Sequence, residues 1–458
     1  MEADSKLKRN LKQRHLTMIA IGGTIGTGLF LASGYTIGQA GPGGAVVSYA
    51  LVGLMVYFLM TSLGEMATYM PITGSFQVYA TKFVSPAMGF ALGWNYWFYW
   101  ATTIGVEVVA GELLMKYWFP KSPPGSWSIL FLALLLVLNL LSVRSYGEAE
   151  FWFAGIKVVT VIVFIIIGIA MIFGLTGGHY YGLSNYVAYG GPFPKGLSGI
   201  IMSSFVVAFS FQGAEVVGIA AGESENPREN VPRAVNTVFW RIMLFYLGAI
   251  IVLAALVSWK KAGVLESPFT MVFSRAGIPY AAGIINLVVL TSALSCGNSG
   301  VYACTRMLYS MAKEGMAPRL FASVNGRGVP IPALITSMAM AAVSLLTNFV
   351  AANTVYIWLV SASGLAGLIA WLGIALSHYR FRQKYLADGG KLEDLKYVAR
   401  FYPFGPIFAA VLCTVVIIGQ AATPDSRLAL YFGLPFFVVP YLYYKIRYKN
   451  NLTPQLDR

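Results

Sequence analysis

Twelve long apolar runs divide this chain and leave it few ways to fold: residues 16–39, 44–68, 87–117, 127–143, 151–175, 197–221, 243–259, 281–304, 333–349, 354–377, 407–421 and 428–444. A helix needs about 20 mostly apolar residues to cross a bilayer, and most of these runs supply them. The third run is longer, and the fourth and eleventh are shorter. Each run is continuously apolar rather than alternating, which selects helices over a membrane barrel. The expected fold class is an all-α polytopic membrane protein with twelve transmembrane helices.

Composition agrees. Apolar residues make up 57% of the 458 positions and charged residues 11%, against roughly 25% charged in a soluble domain. Mean hydropathy is +0.68. A soluble enzyme, a nucleic-acid binder and a disulfide-rich secreted domain are therefore set aside, and the lipid bilayer is the expected surrounding partner. The net charge of +14 is explained by its placement. With the N-terminus inside, inner segments carry 24 of the Lys and Arg residues, outer segments carry 7, and Lys157 lies within a run. That bias puts both termini in the cytoplasm. The first run is Gly-rich and no small-residue cleavage site follows it, so no secretory signal peptide is expected. Cys296, Cys304 and Cys413 lie in apolar stretches and form no disulfide framework. His15, His179 and His378 are scattered, so no metal site and no cofactor are expected.

Two runs contain segments that a plain anchor helix would avoid. In the first, residues 22–28 read GGTIGTG, and each glycine costs a helix about 1 kcal/mol relative to alanine. Small residues also serve close helix packing. The sharper reading is a helix interrupted in mid-membrane, tolerated only beside a cavity, with the break at Gly26–Gly28 and freed N–H groups that suit an anion. In the sixth run, residues 209–215 read FSFQGAE, placing an amide, a glycine and a carboxylate inside an apolar helix. Glu215 is either a structurally satisfied buried acid or a functional one. Broken first and sixth helices suggest two five-helix units, 16–175 and 197–377, related as a 5+5 inverted repeat with a substrate site between them. Residues 1–15 form a cytoplasmic N-terminal segment, 407–444 two further helices, and 445–458 a cytoplasmic tail.

Charges within the runs are few: Glu107, Glu112, Lys157 and Glu215, with Glu65 and Glu223 near cytoplasmic ends. A lone buried lysine needs a partner, and Glu107 is the expected one. The pair is either a static ion pair or a fixed positive charge standing where a sodium ion would otherwise sit. No carboxylate cage for sodium is visible, which favours protons as the coupling ion.

These features resemble the amino acid–polyamine–organocation superfamily and, within it, the bacterial and fungal amino acid permeases. The resemblance rests on RHLTMIAIGG (14–23), IGTGLF (25–30), GPGG (41–44), SLGEM (62–66), GWNYW (93–97), GESENP (222–227) and SHYRFR (377–382), and spans nearly the whole chain. The run FQGAE (211–215) is similar to that of permeases for cationic amino acids, and the lysine-specific permeases of bacteria are the nearest likeness. Glu107 stands where those can carry an aspartate, which lengthens the reach of that carboxylate.

The resemblance implies a leucine-transporter-like fold, proton symport and import of an amino acid across the cell inner (plasma) membrane. By motif, Thr27 and Gly28, with Gly26 beside them, contact the substrate carboxylate. Backbone groups of Thr24, Phe209 and Gln212 receive the α-ammonium, with Ser210 and Gly213 in the same broken segment, and Phe209 covers the site. Glu215 and the Glu107–Lys157 pair are candidates for proton coupling, Glu215 foremost, and Glu223 belongs to an inner gate. Neutral acceptors would meet a lysine side-chain ammonium: Thr103, Gln212 and a serine, Ser361 or Ser363.

The expected function is therefore a proton-coupled importer of L-lysine. The alternative is a permease or exchanger for other cationic, neutral or aromatic amino acids. A membrane-embedded enzyme lacks a nucleophile–base or metal constellation, and a channel lacks a filter or charge ring. Loops and termini could bind a regulatory protein partner, which the sequence does not identify.

Overall fold

Every apolar run contains helix in a computed structural model that describes residues 7, 9–141, 143–176, 180–262, 267–277, 280–346, 352–422 and 424–447. His179, residues 1–6 and 8, 347–349 at the end of the ninth run and the last residues of the tail lie outside that set. So does the side chain of Ser361. Among the described residues there is no strand, and one isolated bridge joins Leu11 to Ser224.

In chain order the helices are α1 (Gln13–Gly22), α2 (Thr27–Phe30), α3 (Ala32–Tyr69), α4 (Phe76–Phe83), α5 (Pro86–Met115), α6 (Ser126–Leu140) and α7 (Val143–Ile172). Then come α8 (Ser184–Val187), α9 (Gly196–Phe211), α10 (Val216–Ala220), α11 (Pro227–Arg241), α12 (Ala249–Leu256), α13 (Pro268–Arg275) and α14 (Ala281–Lys313). The last are α15 (Ile331–Ala342), α16 (Ala352–Ala387), α17 (Phe404–Gly419), α18 (Pro424–Gly433) and α19 (Pro435–Arg447). Among the described residues, 8 helical stretches are long and apolar enough to cross a membrane. Ser126–Leu140, Ile331–Ala342 and Phe404–Gly419 are apolar but shorter.

Local chemistry sets several boundaries. Ser85 accepts from the Met88 N–H at 3.2 Å and Pro86 occupies the first turn of α5, so that helix starts where its free N–H groups are met. The first two apolar runs join through α3, which bends at Gly41 (φ 77°) ahead of Pro42. A Cβ at Gly41 would collide with Pro194, so the bend requires glycine. Glu112 accepts from the backbone of Gly125 at 2.6 Å and of Ser128 at 3.2 Å, and from the Ser128 hydroxyl at 2.5 Å. It therefore caps α6, whose positive end favours a carboxylate.

Some helices begin before their apolar runs. The fifth begins at Val143 rather than 151, which carries Glu150 into the interior, fully buried. The seventh begins at Pro227 rather than 243, and continues through a π-helical turn, Ile242–Gly248, into α12. Arg241, expected among the cytoplasmic basic residues, is thereby buried. These polar residues end an apolar run in the sequence, but neighbouring helices cover them. The centre of the bundle is α5, with 94% of its most apolar stretch buried, whereas 427–447 is 11% buried and lies at the periphery.

Candidate functional site

The site forms where the first and sixth apolar runs both lose their helix. α1 stops at Gly22 and α2 starts at Thr27, so the break covers residues 23–26. It begins before the expected 26–28 and shares only Gly26 with it, and Thr27 and Gly28 open the second half-helix instead of lying in the gap. α9 stops at Phe211 and α10 starts at Val216, with Gly213 at φ 100° between them. That break falls inside the expected segment.

Several of the freed carbonyls find specific partners. The Lys157 ammonium donates to the Gly22 carbonyl at 2.6 Å, at the negative end of α1. This replaces the expected Lys157–Glu107 ion pair, which does not form. The Tyr246 hydroxyl lies 3.0 Å from both the Thr24 and the Ser210 carbonyl oxygens and so braces the two breaks together. Ser292 donates to the Ile25 carbonyl at 2.7 Å, and Cys296 approaches the Gly23 carbonyl at 3.8 Å. α14 thus serves the backbone that α1 leaves open.

Glu215 anchors the second break. Its carboxylate accepts from the Tyr96 hydroxyl at 3.2 Å, the Trp371 indole at 3.1 Å and the Gly213 N–H at 3.1 Å. Glu223 accepts from Tyr302 and from Arg306 Nε, each at 2.8 Å, and is fully buried. Close by, the Leu11 N–H donates to the Glu223 carbonyl at 3.0 Å. Glu65 forms a second buried cluster with Arg382, His378 and the Ala399 N–H. These contacts close one end of the bundle.

Between the breaks is a small cavity lined by Thr24, Gly26, Gly28, Tyr99, Thr103, Glu107, Phe209, Gln212 and Cys296. It encloses about 10 Å³, room for about one water, so an amino acid enters only after the walls move. Six of those residues were expected to bind substrate and Glu107 to couple protons; Tyr99 and Cys296 were not expected. Tyr99, Thr103 and Glu107 recur at helical spacing on one face of α5, a signal that could have revealed Tyr99.

The polar part of the cavity wall includes several acceptor oxygens. Thr27 donates to Glu107 Oε1 at 3.0 Å, and Glu107 Oε2 has no partner. Gln212 donates its amide N–H to the Gly364 carbonyl at 2.9 Å, leaving Oε1 without a partner. The Thr103 and Ser363 hydroxyls are 2.6 Å apart. The Phe209 carbonyl accepts one bond, from the Gln212 N–H. The Thr24 carbonyl already accepts two, from Gly26 N–H and Tyr246. Thr27, Ser210 and Gly213 are buried beside the cavity without lining it. Ser210 faces Val206 and Tyr49. Lys157 and Glu215 are buried and do not line the cavity, and Glu223 lies with Arg306 at the end of the bundle.

A protein-family model described as amino acid permease matches residues 15–456. The chain belongs to the amino acid permease family. Its relatives include the lysine-specific permease LysP of Escherichia coli (strain K12), 51% identical over 99% of this chain and 97% of that protein. The LysP of Lactococcus lactis subsp. cremoris (strain MG1363) is 46% identical over 99% of this chain and 93% of that protein. The histidine permease HisP of the same strain is 45% identical over 99% of this chain and 98% of that protein. This permease is accordingly a multi-pass membrane protein of a transporter family rather than a member of an enzyme class.

Proposed function

We propose that this permease imports L-lysine together with protons across the plasma membrane by alternating access around its two broken helices. Twelve helices span in a 5+5 inverted repeat plus two, with both termini cytoplasmic. The observation that carries the reading is the cavity wall. Glu107 and Gln212, each with a buried acceptor oxygen without a partner, line the cavity together with Thr103, whose hydroxyl pairs with that of Ser363. A cationic amino acid brings donors that such oxygens lack. A neutral side chain would leave them unpaired, at about 1–3 kcal/mol each.

The substrate carboxylate lies at the start of α2, on the N–H groups of Thr27 and Gly28, with Gly26 leaving room. The α-ammonium takes the Phe209 and Gln212 carbonyls, and Phe209 covers the bound molecule. The Thr24 carbonyl joins once Gly26 or Tyr246 releases it. Glu215 holds the second break by accepting from three donors, whereas Glu107, which lines the cavity, keeps one oxygen without a partner. The coupling proton is therefore assigned to Glu107 and Lys157. Lys157, bonded to the Gly22 carbonyl, supplies the charge that a sodium ion would provide. Glu223, with Arg306 and Tyr302, forms the inner gate. The relatives named as lysine permeases support the substrate; the relative named as a histidine permease favours a second reading, histidine import.

Uptake of labelled lysine into proteoliposomes tests the proposal. An acid-outside gradient should drive accumulation without sodium, and excess lysine should compete better than histidine. Sodium-dependent uptake, or stronger competition by histidine, would contradict it.

A further inference from the structure

We infer that Glu150 takes the coupling proton from Lys157 and passes it toward the cytoplasm along hydroxyls carried by α14. The inference rests on the proton-symport reading above and names the route by which the proton leaves.

Glu150 lies seven residues before Lys157 on α7, so the two share a helical face, and both are fully buried. Its Oε1 accepts from the Ser295 hydroxyl at 2.6 Å. The same oxygen lies against Gly22, where an added Cβ would collide with it, and the Gly22 carbonyl is the acceptor for Lys157. Glu150 Oε2 has no partner, and neither does Glu107 Oε2. Lys157 thus holds the end of α1 against which Glu150 packs, while Glu107 packs against Gly26 further along the break. Lys157 forms an ion pair with neither in this arrangement, and each carboxylate keeps one oxygen open. An uncompensated oxygen in so dry a place is costly as a bare anion and is the point at which a proton can be received.

The far side of Glu150 is lined with groups that carry protons. Ser295, Ser299, Tyr302 and Arg306 recur every three or four residues of α14 and so form one stripe. The Ser299 hydroxyl is 3.2 Å from Tyr146 OH, and the Tyr146 ring stacks on Tyr302 with centroids 4.4 Å apart. Tyr302 donates to Glu223 at 2.8 Å, where Arg306 ends the file. Asn298, bonded to Asn139 at 2.8 Å, flanks it. The titratable groups around this route are Lys157 on the same helix, buried His15 packed against Gly147 about one turn before Glu150, and Glu223 with Arg306 at the far end of the stripe.

The step balances as one proton moved. An Nζ–H bond of the Lys157 ammonium breaks as its proton forms an O–H bond on Glu150 Oε2. The Glu107 carboxylic acid breaks its O–H bond and returns a proton to the amine. Lys157 ends charged, as it began; Glu107 becomes a carboxylate and Glu150 a neutral acid. Glu150 then releases its proton to the hydroxyl file and on to water. Because Lys157 is bonded to the last residue of α1, movement of that half-helix changes which carboxylate it can reach.

Glu150→Gln keeps the shape and the Ser295 bond but accepts no proton. In proteoliposomes it should retain lysine counterflow at equal pH with an apparent affinity within twofold. Accumulation driven by an acid-outside gradient should fall at least tenfold and lose its pH dependence. Tyr146→Phe, which keeps the stack and removes one hydroxyl, should slow proton-driven uptake severalfold without altering counterflow. Equal proton-driven accumulation by Glu150→Gln and the unmodified protein would overturn the Glu150 assignment alone. Loss of counterflow in Glu150→Gln would also overturn it, by placing the residue in the binding site or hinge. Absence of proton uptake with lysine in the unmodified protein would instead remove the symport reading on which it rests.

Discussion

Gly23 and Gly213 meet backbone to backbone where the two interrupted helices cross. A Cβ on Gly23 would lie 3.2 Å from the Gly213 carbonyl oxygen, and one on Gly213 would collide with the Gly23 carbonyl. Gly213 also holds φ 100°, a region that side chains disfavour. The crossing therefore fixes the distance between the two walls of the pocket. Gly213→Ala should cost about 1–3 kcal/mol of stability and lower lysine affinity, read by thermal unfolding with and without lysine. Unchanged affinity and melting would show that the crossing is not needed.

Gly28 looks from the sequence like a probe of carboxylate binding alone. In the structure a Cβ there would lie 2.6 Å from Ser210 Cα, so a bulky replacement such as Gly28→Val disturbs packing as well as binding. The cleaner test of the pocket is its side chains. Thr103→Val and Gln212→Ala should each weaken lysine binding about 10–100-fold, the effect of unpairing an ammonium donor, and should narrow the gap between lysine and leucine in competition. An unchanged ranking of lysine, arginine, leucine and phenylalanine would place the side-chain pocket elsewhere.

Lys157→Ala should leave the carbonyl end of α1 without its cation and lose transport. Lys157→Arg should not restore it, because the planar guanidinium is wider than an ammonium. Transport and melting temperature measured together check this. Normal transport by Lys157→Ala would remove the residue from coupling.

Glu112 should matter to stability only. Glu112→Ala removes the cap of α6 and should cost about 1–2 kcal/mol, lowering the melting temperature while substrate ranking stays fixed. A changed ranking would place Glu112 in the pocket.

Orientation follows from the basic residues. Thiols introduced near Lys121 and Lys260 should react with an impermeant reagent from outside, and one near Lys391 should not. The reverse pattern would invert the proposed topology.

The sequence carries much of this site because glycine and buried charge are conspicuous in an apolar run. Residues 22–28 and 209–215 both mark real breaks. The first break starts earlier than expected because its position is set by distant partners: Lys157 holds the Gly22 carbonyl and Tyr246 holds that of Thr24. Tyr246 is hidden in sequence, since an aromatic residue in an apolar run reads as packing. Glu150 and Arg241 are hidden because a hydropathy run ends at the first polar residues, while their burial depends on which helices cover them. The spacing of Ser292, Ser295, Ser299, Tyr302 and Arg306 was available, and it would have marked α14 as the helix facing the first break.

The most direct test of lysine–proton symport needs no imposed gradient. A pH dye trapped inside proteoliposomes, with pH equal on both sides and the membrane potential clamped, should report acidification of the lumen when lysine is added outside. Glu107→Gln should abolish the signal. Lysine entry with no change in internal pH would contradict the account.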